Sequence, residues 1–123
     1  AEIIVSHHNY EHYQLGGGDS MIAECYRILQ PGGSLIVAAP DLTALVHAWT
    51  HGSINDYIFC VNLYGAYNGH EGDTHKWLYT KKTLQKAIQA AAPWSRTMEF
   101  NWRAIPGADI AKDFWIQAAE AIK

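Results

Sequence analysis

The stretch Ile22–Asp41, IAECYRILQPGGSLIVAAPD, decides the fold. Its apolar residues Ile22, Cys25, Tyr26 and Leu29 recur at helical spacing, and Pro31-Gly32-Gly33 stops the helix. A short apolar strand runs from Ser34 to Ala39 and ends at Pro40-Asp41. Apolar residues on both its faces (Leu35 to Ala39) suit the interior of a parallel sheet, where helices cover both sides. This is a helix-turn-strand unit of an α/β protein. Open α/β sheets bind ligands beyond the carboxyl ends of their strands, so Asp41 is a site candidate from topology alone.

Working outward, Glu2–Ser6 reads as a first strand, followed by the polar segment from His7 to Tyr13. The run Gly16-Gly17-Gly18 lacks the preceding strand and the spacing of a phosphate-binding fingerprint, so it reads as a hinge before a helix capped by Asp19 or Ser20. Beyond the central strand, Asp41-Leu42-Thr43 predicts a cap for a helix over Ala44–Thr50. Ile54–Tyr67 mixes apolar and aromatic residues with no clean period and reads as either helix or lid. Its Tyr57, Tyr64 and Tyr67, with Trp77, are assigned to core or lid packing before cofactor stacking. The polar turn from Asn68 to His75 precedes Thr80, which caps a helix over Lys81–Ala92. Alternation over Thr97–Arg103 predicts a strand with one wet face, and Asp113–Ala119 a final strand, with a closing helix as the alternative. The first two strands are expected to pair in parallel and the last two antiparallel.

Composition narrows the function. The 123 residues are 49% hydrophobic and 17% charged, which is the balance of one small globular domain and not of a disordered chain. A net charge of −3 with scattered lysines and arginines offers no basic patch for nucleic acid. Cys25 and Cys60 have neither metal-ligand spacing nor disulfide density, so reduced core thiols and a cytoplasmic location are expected. No apolar run reaches the roughly 20 residues of a membrane span. The chain starts at Ala1 in what reads as a buried strand with no lead-in, so either a preceding segment is missing or a partner covers that edge.

Three motifs in order resemble class I S-adenosylmethionine-dependent methyltransferases of the type 11 kind. The segment from Glu24 to Asp41 is similar to the family's helix, PGG turn and fifth strand; Ser6–Tyr13, SHHNYEHY, resembles the stretch after the fourth strand; and His75–Leu84, HKWLYTKKTL, resembles a downstream motif of a small bacterial subgroup. The closing FWIQAAEAIK resembles the last strand. The resemblance implies a partial Rossmann-like methyltransferase sheet, strands equivalent to 4-5-7-6 with flanking helices, forming the C-terminal half of the fold. It implies S-adenosylmethionine as cofactor and cofactor contacts at Ser6, His7, His8, Glu11 and His12. Methyl transfer needs a base where the nucleophile carries a proton, and Asp41 at the strand end or His75, His70 or Asp73 on the loop could supply it. The family's glycine-rich loop and its ribose-binding acidic residue have no counterpart here, so the chain alone is expected to bind cofactor poorly.

Bland readings stand beside these. His8, Glu11 and His12 suit a polar loop with no chemistry; Asp41 suits a simple helix cap; His70, Asp73 and His75 suit a surface turn. His8 and His12 would share a face if their segment were helical, with Glu11 or His75 joining them. A metal centre needs three or four convergent ligands and the sequence establishes two, so no metal site is assigned. Two competing functions follow. One is a non-catalytic association module that dimerises through the first strand, making a homo-oligomer or meeting a missing N-terminal half. The other is a small His-based metal-dependent hydrolase. The acceptor, a small molecule, is not identified.

Overall fold

The computed structural model describes residues 1–65, 70–108 and 115–123. Local chemistry sets most element ends. Thr80 opens the helix α4 (Lys81–Ala91) with a reciprocal capping box, its hydroxyl accepting from the Thr83 N–H while the Thr83 hydroxyl accepts from the Thr80 N–H. Asp41 caps α2 (Leu42–Thr50), accepting from the N–H groups of Thr43 at 3.1 Å and Ala44 at 3.4 Å. Asn55 caps α3 (Asp56–Tyr64) in the same way, which resolves the ambiguous stretch as helix; Tyr67 lies outside the described residues.

The helix α1 (Asp19–Ile28) starts differently from expectation. Neither Asp19 nor Ser20 caps it; Gly18 occupies the cap position without a side-chain bond. A methyl group at Gly18 would press into the buried Tyr10 ring, with the Tyr10 Cδ2 only 2.9 Å away. Glycine is therefore present for close approach of backbone to ring, and the hinge role is not needed to explain it.

Four strands, β1 (Ile3–His7), β2 (Ser34–Pro40), β3 (Arg96–Phe100) and β4 (Ile116–Ile122), form one sheet in the order β1-β2-β4-β3. β1 pairs parallel to β2, with Ile3 opposite Ser34 and His7 opposite Ala38. β4 runs antiparallel to both β2 and β3. The expected 4-5-7-6 order is thus present, but β2 lies between one parallel and one antiparallel neighbour, not within a wholly parallel sheet. The last strand begins later than expected, and Asp113 and Phe114 lie outside the described residues. β3 stops at Phe100, because Asn101 caps a 3-10 turn over Trp102–Ala104 by accepting from the Arg103 N–H. The predicted alternation through Arg103 overran that cap.

One sheet face, with Leu35, Val37, Ala119 and Ala121, packs against Ile22 and Leu29 of the α1 segment and Leu84 and Ile88 of α4. Ile36, Ala38, Ile116 and Ala118 on the other face meet Trp102, Ile105 and Ala108. A third cluster, Leu45, Ala48, Ile54 and Trp115, closes the carboxyl end under α2. The core placement expected of Cys60, and offered beside a lid for Tyr57, Tyr64 and Trp77, is corrected here. Cys60 is exposed, and Tyr57, Tyr64 and Trp77 are 76%, 62% and 45% exposed, so they line the surface and not the core. No helix among the described residues is long and apolar enough to cross a membrane.

Candidate functional site

The chain leaves β1 through His8, whose N–H adds a last ladder-like bond to the Ala38 carbonyl at 2.9 Å. His8 has φ of 51°, the sole positive value outside glycine among the described residues. Histidine tolerates this left-handed region better than most residues, yet such conformations concentrate at functional positions. A single 3-10 turn, Tyr10–His12, follows. A turn this short does not put His8 and His12 on one helical face, so the face-sharing expected of a helix is absent; His8 instead turns back to Glu11.

Glu11 is the centre of the cluster. Its side chain is 1% exposed, and the ring of the preceding residue, Tyr10, stacks on Tyr79 with centroids 5.2 Å apart. Its backbone carbonyl accepts from the N–H groups of Lys76 at 2.8 Å and Trp77 at 3.3 Å, which brings the 75–77 segment across the end of the sheet. His8 Nδ1–H donates to Glu11 Oε1 at 3.3 Å, and His75 Nε2 lies 4.0 Å from the same oxygen. Oε2 is buried and has no hydrogen-bond partner among the described residues. Buried carboxylate oxygens are ordinarily satisfied, so an unpaired one marks a place where something else belongs.

His75 reaches this point by way of a glycine. Its N–H donates to the Tyr64 carbonyl at 2.9 Å, which folds the 73–75 segment against the end of α3 at Gly65. Gly65 has φ of 86° and ψ of 166°, a region open essentially to glycine, and a side chain there would strike the Asp73 carbonyl and the His75 N–H. The His75 Nδ1 donates to the Asn62 carbonyl at 2.7 Å, leaving the lone pair on Nε2, toward Glu11. Burial holds the His75 imidazole below its usual pKa, against the upward pull of the Asn62 carbonyl and the Glu11 charge, with His12 and His8 adding a smaller downward push. His12 donates from Nδ1 to the Thr74 carbonyl at 3.2 Å, and its ring meets that of His75 edge-on, centroids 4.9 Å apart.

The remaining candidates go elsewhere. Ser6 is buried with its hydroxyl unpartnered among the described residues, while His7, one residue on, lies on the opposite sheet face beside a cavity lined by Val5 and Ile105–Ala108. Burial, then the neighbouring His8, lowers the His7 pKa, with Glu11 pulling it up. Asp41 sits at the carboxyl end of β2 as topology required, but one of its oxygens is committed to capping α2. It lines a cavity of about 580 Å³ with Lys81, Glu99, Asn101 and Gln117. His75 instead lines one of about 370 Å³ with Leu42, Tyr64, Lys76 and Trp77. The two candidate bases therefore face different cavities. Gln117, which sequence reading did not single out, is buried and donates to the Tyr79 carbonyl at 2.8 Å and the Pro40 carbonyl at 3.3 Å, tying β4 to the strand end where Asp41 sits. A glutamine inside an alanine-rich strand was the available signal.

Strand order and this carboxyl-end cluster invite comparison with known folds. A solved protein from Nostoc punctiforme PCC 73102, described as a "putative O-methyltransferase", superposes with a TM-score of 0.61 at 10% identity, over 99% of this chain and 31% of that one. The fold is part of a methyltransferase-type sheet. At that identity the likeness concerns architecture alone, and this chain spans under a third of the solved protein's length. No protein-family model matches the sequence, and no curated protein does. Within the methyltransferase-like fold, the cluster occupies the strand-end position at which open α/β sheets bind ligands.

Proposed function

We propose that this chain is the acceptor-side half of an S-adenosylmethionine-dependent methyltransferase fold, and that the cofactor's main grip is made by strands beyond the free edge of β1. The observation that carries this reading is the convergence of His8, Glu11, His12 and His75 at the carboxyl end of a 4-5-7-6 sheet. When bound, the cofactor supplies a methyl group on a sulfonium centre. Methyl transfer asks little of the protein beyond in-line placement and a proton acceptor where the nucleophile carries a proton. Ser6, His8, Glu11 and His12 border the cofactor side, with His7 on the outer sheet face. His75, with Nδ1 held by Asn62, offers Nε2 to an acceptor proton, and Asp41 shapes the neighbouring cavity while holding α2 in place.

Two NMR and calorimetric outcomes test this. Titration of the chain with S-adenosylmethionine is expected to give no saturable heat in the micromolar range, yet at millimolar cofactor to move the amide signals of His8, Glu11, His12 and His75 before any others. Tight binding to the chain alone would overturn the assignment of the grip to other strands. Shifts confined to a different surface would overturn the site.

A second reading draws on the edge itself. β1 pairs with β2 on one side only among the described residues, and its Ile3 and Val5 are 63% and 44% exposed. An open apolar edge is a template for strand addition, so the chain is also proposed to associate through β1 with a second copy or another chain. Sedimentation over a concentration series is expected to show self-association that Val5→Lys abolishes; a monomer throughout would remove this reading.

A further inference from the structure

We propose that Glu11, His12 and His75 bind a divalent transition-metal ion, of which zinc is the reference case. One ligand atom from each residue already lies within 4.8 Å of the other two. Two imidazoles and a carboxylate are the donor set that zinc and its first-row neighbours take with a position left open. Tetrahedral zinc with metal–donor distances of about 2.0–2.1 Å separates its ligand atoms by about 3.3 Å, so the three donors need only close inward by side-chain torsion.

Three independent features prepare them for it. Both histidines donate Nδ1–H to a backbone carbonyl, His75 to Asn62 and His12 to Thr74, which selects the tautomer with a free Nε2 and is the outer-shell arrangement of metal-bound histidines. The buried Glu11 Oε2 is without a partner among the described residues, an unexplained acceptor on the carboxylate of the group. His8 donates to the other oxygen, orienting the carboxylate as an outer-shell group does. A purely structural loop has no need to bury a carboxylate with an unpaired oxygen beside two imidazoles whose Nδ1 atoms are both held by backbone carbonyls. With three protein ligands the ion keeps an exchangeable position for water or an oxygen ligand. This inference rests on the three side chains and not on methyl transfer. An ion on His75 Nε2 competes with the proton-accepting role given to that atom, so each is measured with the other partner absent.

The test uses the full chain, stripped of metal by chelator and free of cofactor, titrated with Zn²⁺ by calorimetry and with Co²⁺ by visible absorption. One equivalent of either ion is expected, with visible Co²⁺ bands of a low-coordinate site. His12→Ala, His75→Ala and Glu11→Gln are each expected to weaken binding at least about tenfold, the size that loss of even an outer-shell partner produces. The exposed His47 of α2 and His51 at its C-cap, whose rings stack at 3.9 Å, are the competing surface pair. His47→Ala/His51→Ala is therefore expected to keep the full equivalent. Circular dichroism checks that each variant folds; should His75→Ala fail, the half-buried His12 decides. Absence of binding, its loss in the His47/His51 variant, or its survival in His12→Ala would each overturn the proposal.

Discussion

The helix-covered face of the sheet and its carboxyl end follow opposite rules. On the covered face, Leu35, Val37, Leu84 and Ile88 are fully buried, apolar and packed against one another across α4 and β2. At the carboxyl end, a carboxylate is equally buried but has an unpaired oxygen, its neighbour His8 is left-handed, and the approaching loop turns through a backbone region that only Gly65 supplies. Burial alone therefore does not distinguish the two; satisfaction does. The covered face lowers the free energy of folding, whereas the carboxyl end holds polar groups in an arrangement that folding alone does not reward.

Substitutions separate the two regions, and the largest effect belongs to the covered face. Leu84→Ala leaves a cavity under α4 and is expected to cost about 2–5 kcal/mol in denaturant unfolding. A loss below 1 kcal/mol would show that the α4 face is loosely packed and erase the contrast. Gly65→Ala comes next, at about 1–3 kcal/mol, because it combines backbone strain with collision against the 73–75 segment. Its informative signature is displacement of the His75 imidazole signals by NMR, with those of Leu84 and Ile88 unmoved.

Asp41→Ala is expected to cost about 1 kcal/mol through loss of the α2 cap, while Asp41→Asn, which still accepts from Thr43 and Ala44, recovers most of it in thermal melting. If the asparagine variant is as unstable as the alanine one, the aspartate charge has a task beyond capping. The smallest effect is the sharpest. Glu11→Met in metal-free protein is expected to melt at or slightly above the parent, by up to about 1 kcal/mol, since it removes an unsatisfied buried acceptor. A drop comparable to that of Leu84→Ala would make Glu11 a structural residue and end the contrast between the regions.

How much of this was legible depends on the range of the interaction. The caps at Asp41 and Thr80, the PGG stop and the apolar β2 were readable because each is settled by residues a few positions apart. The alternation over Thr97–Arg103 overran the strand's end at Phe100 by three residues, since periodicity continues through Trp102 while Asn101 accepts from the Arg103 N–H and turns the chain. The exposure of Tyr57, Tyr64 and Cys60 was not readable, because an aromatic-rich helix has the same composition whether or not a neighbour covers it. For the site, the candidates His8, Glu11, His12 and His75 were visible as residue types at a strand end, but not as a set of converging atoms.

By itself, the sequence determined the order of helices and strands from β1 to α2 and the helix α4, and the placement of polar side chains just beyond two strand ends, because caps, breakers and hydrophobic period act locally. Tertiary structure alone decided that the Glu11 carbonyl captures the 75–77 segment, that Gly65 lets it pass, and that two histidines, each held at Nδ1 by a backbone carbonyl, meet one buried carboxylate. Those outcomes depend on which backbone groups meet across the end of the sheet, and residues far apart in the chain meet only after the sheet and its helices have packed.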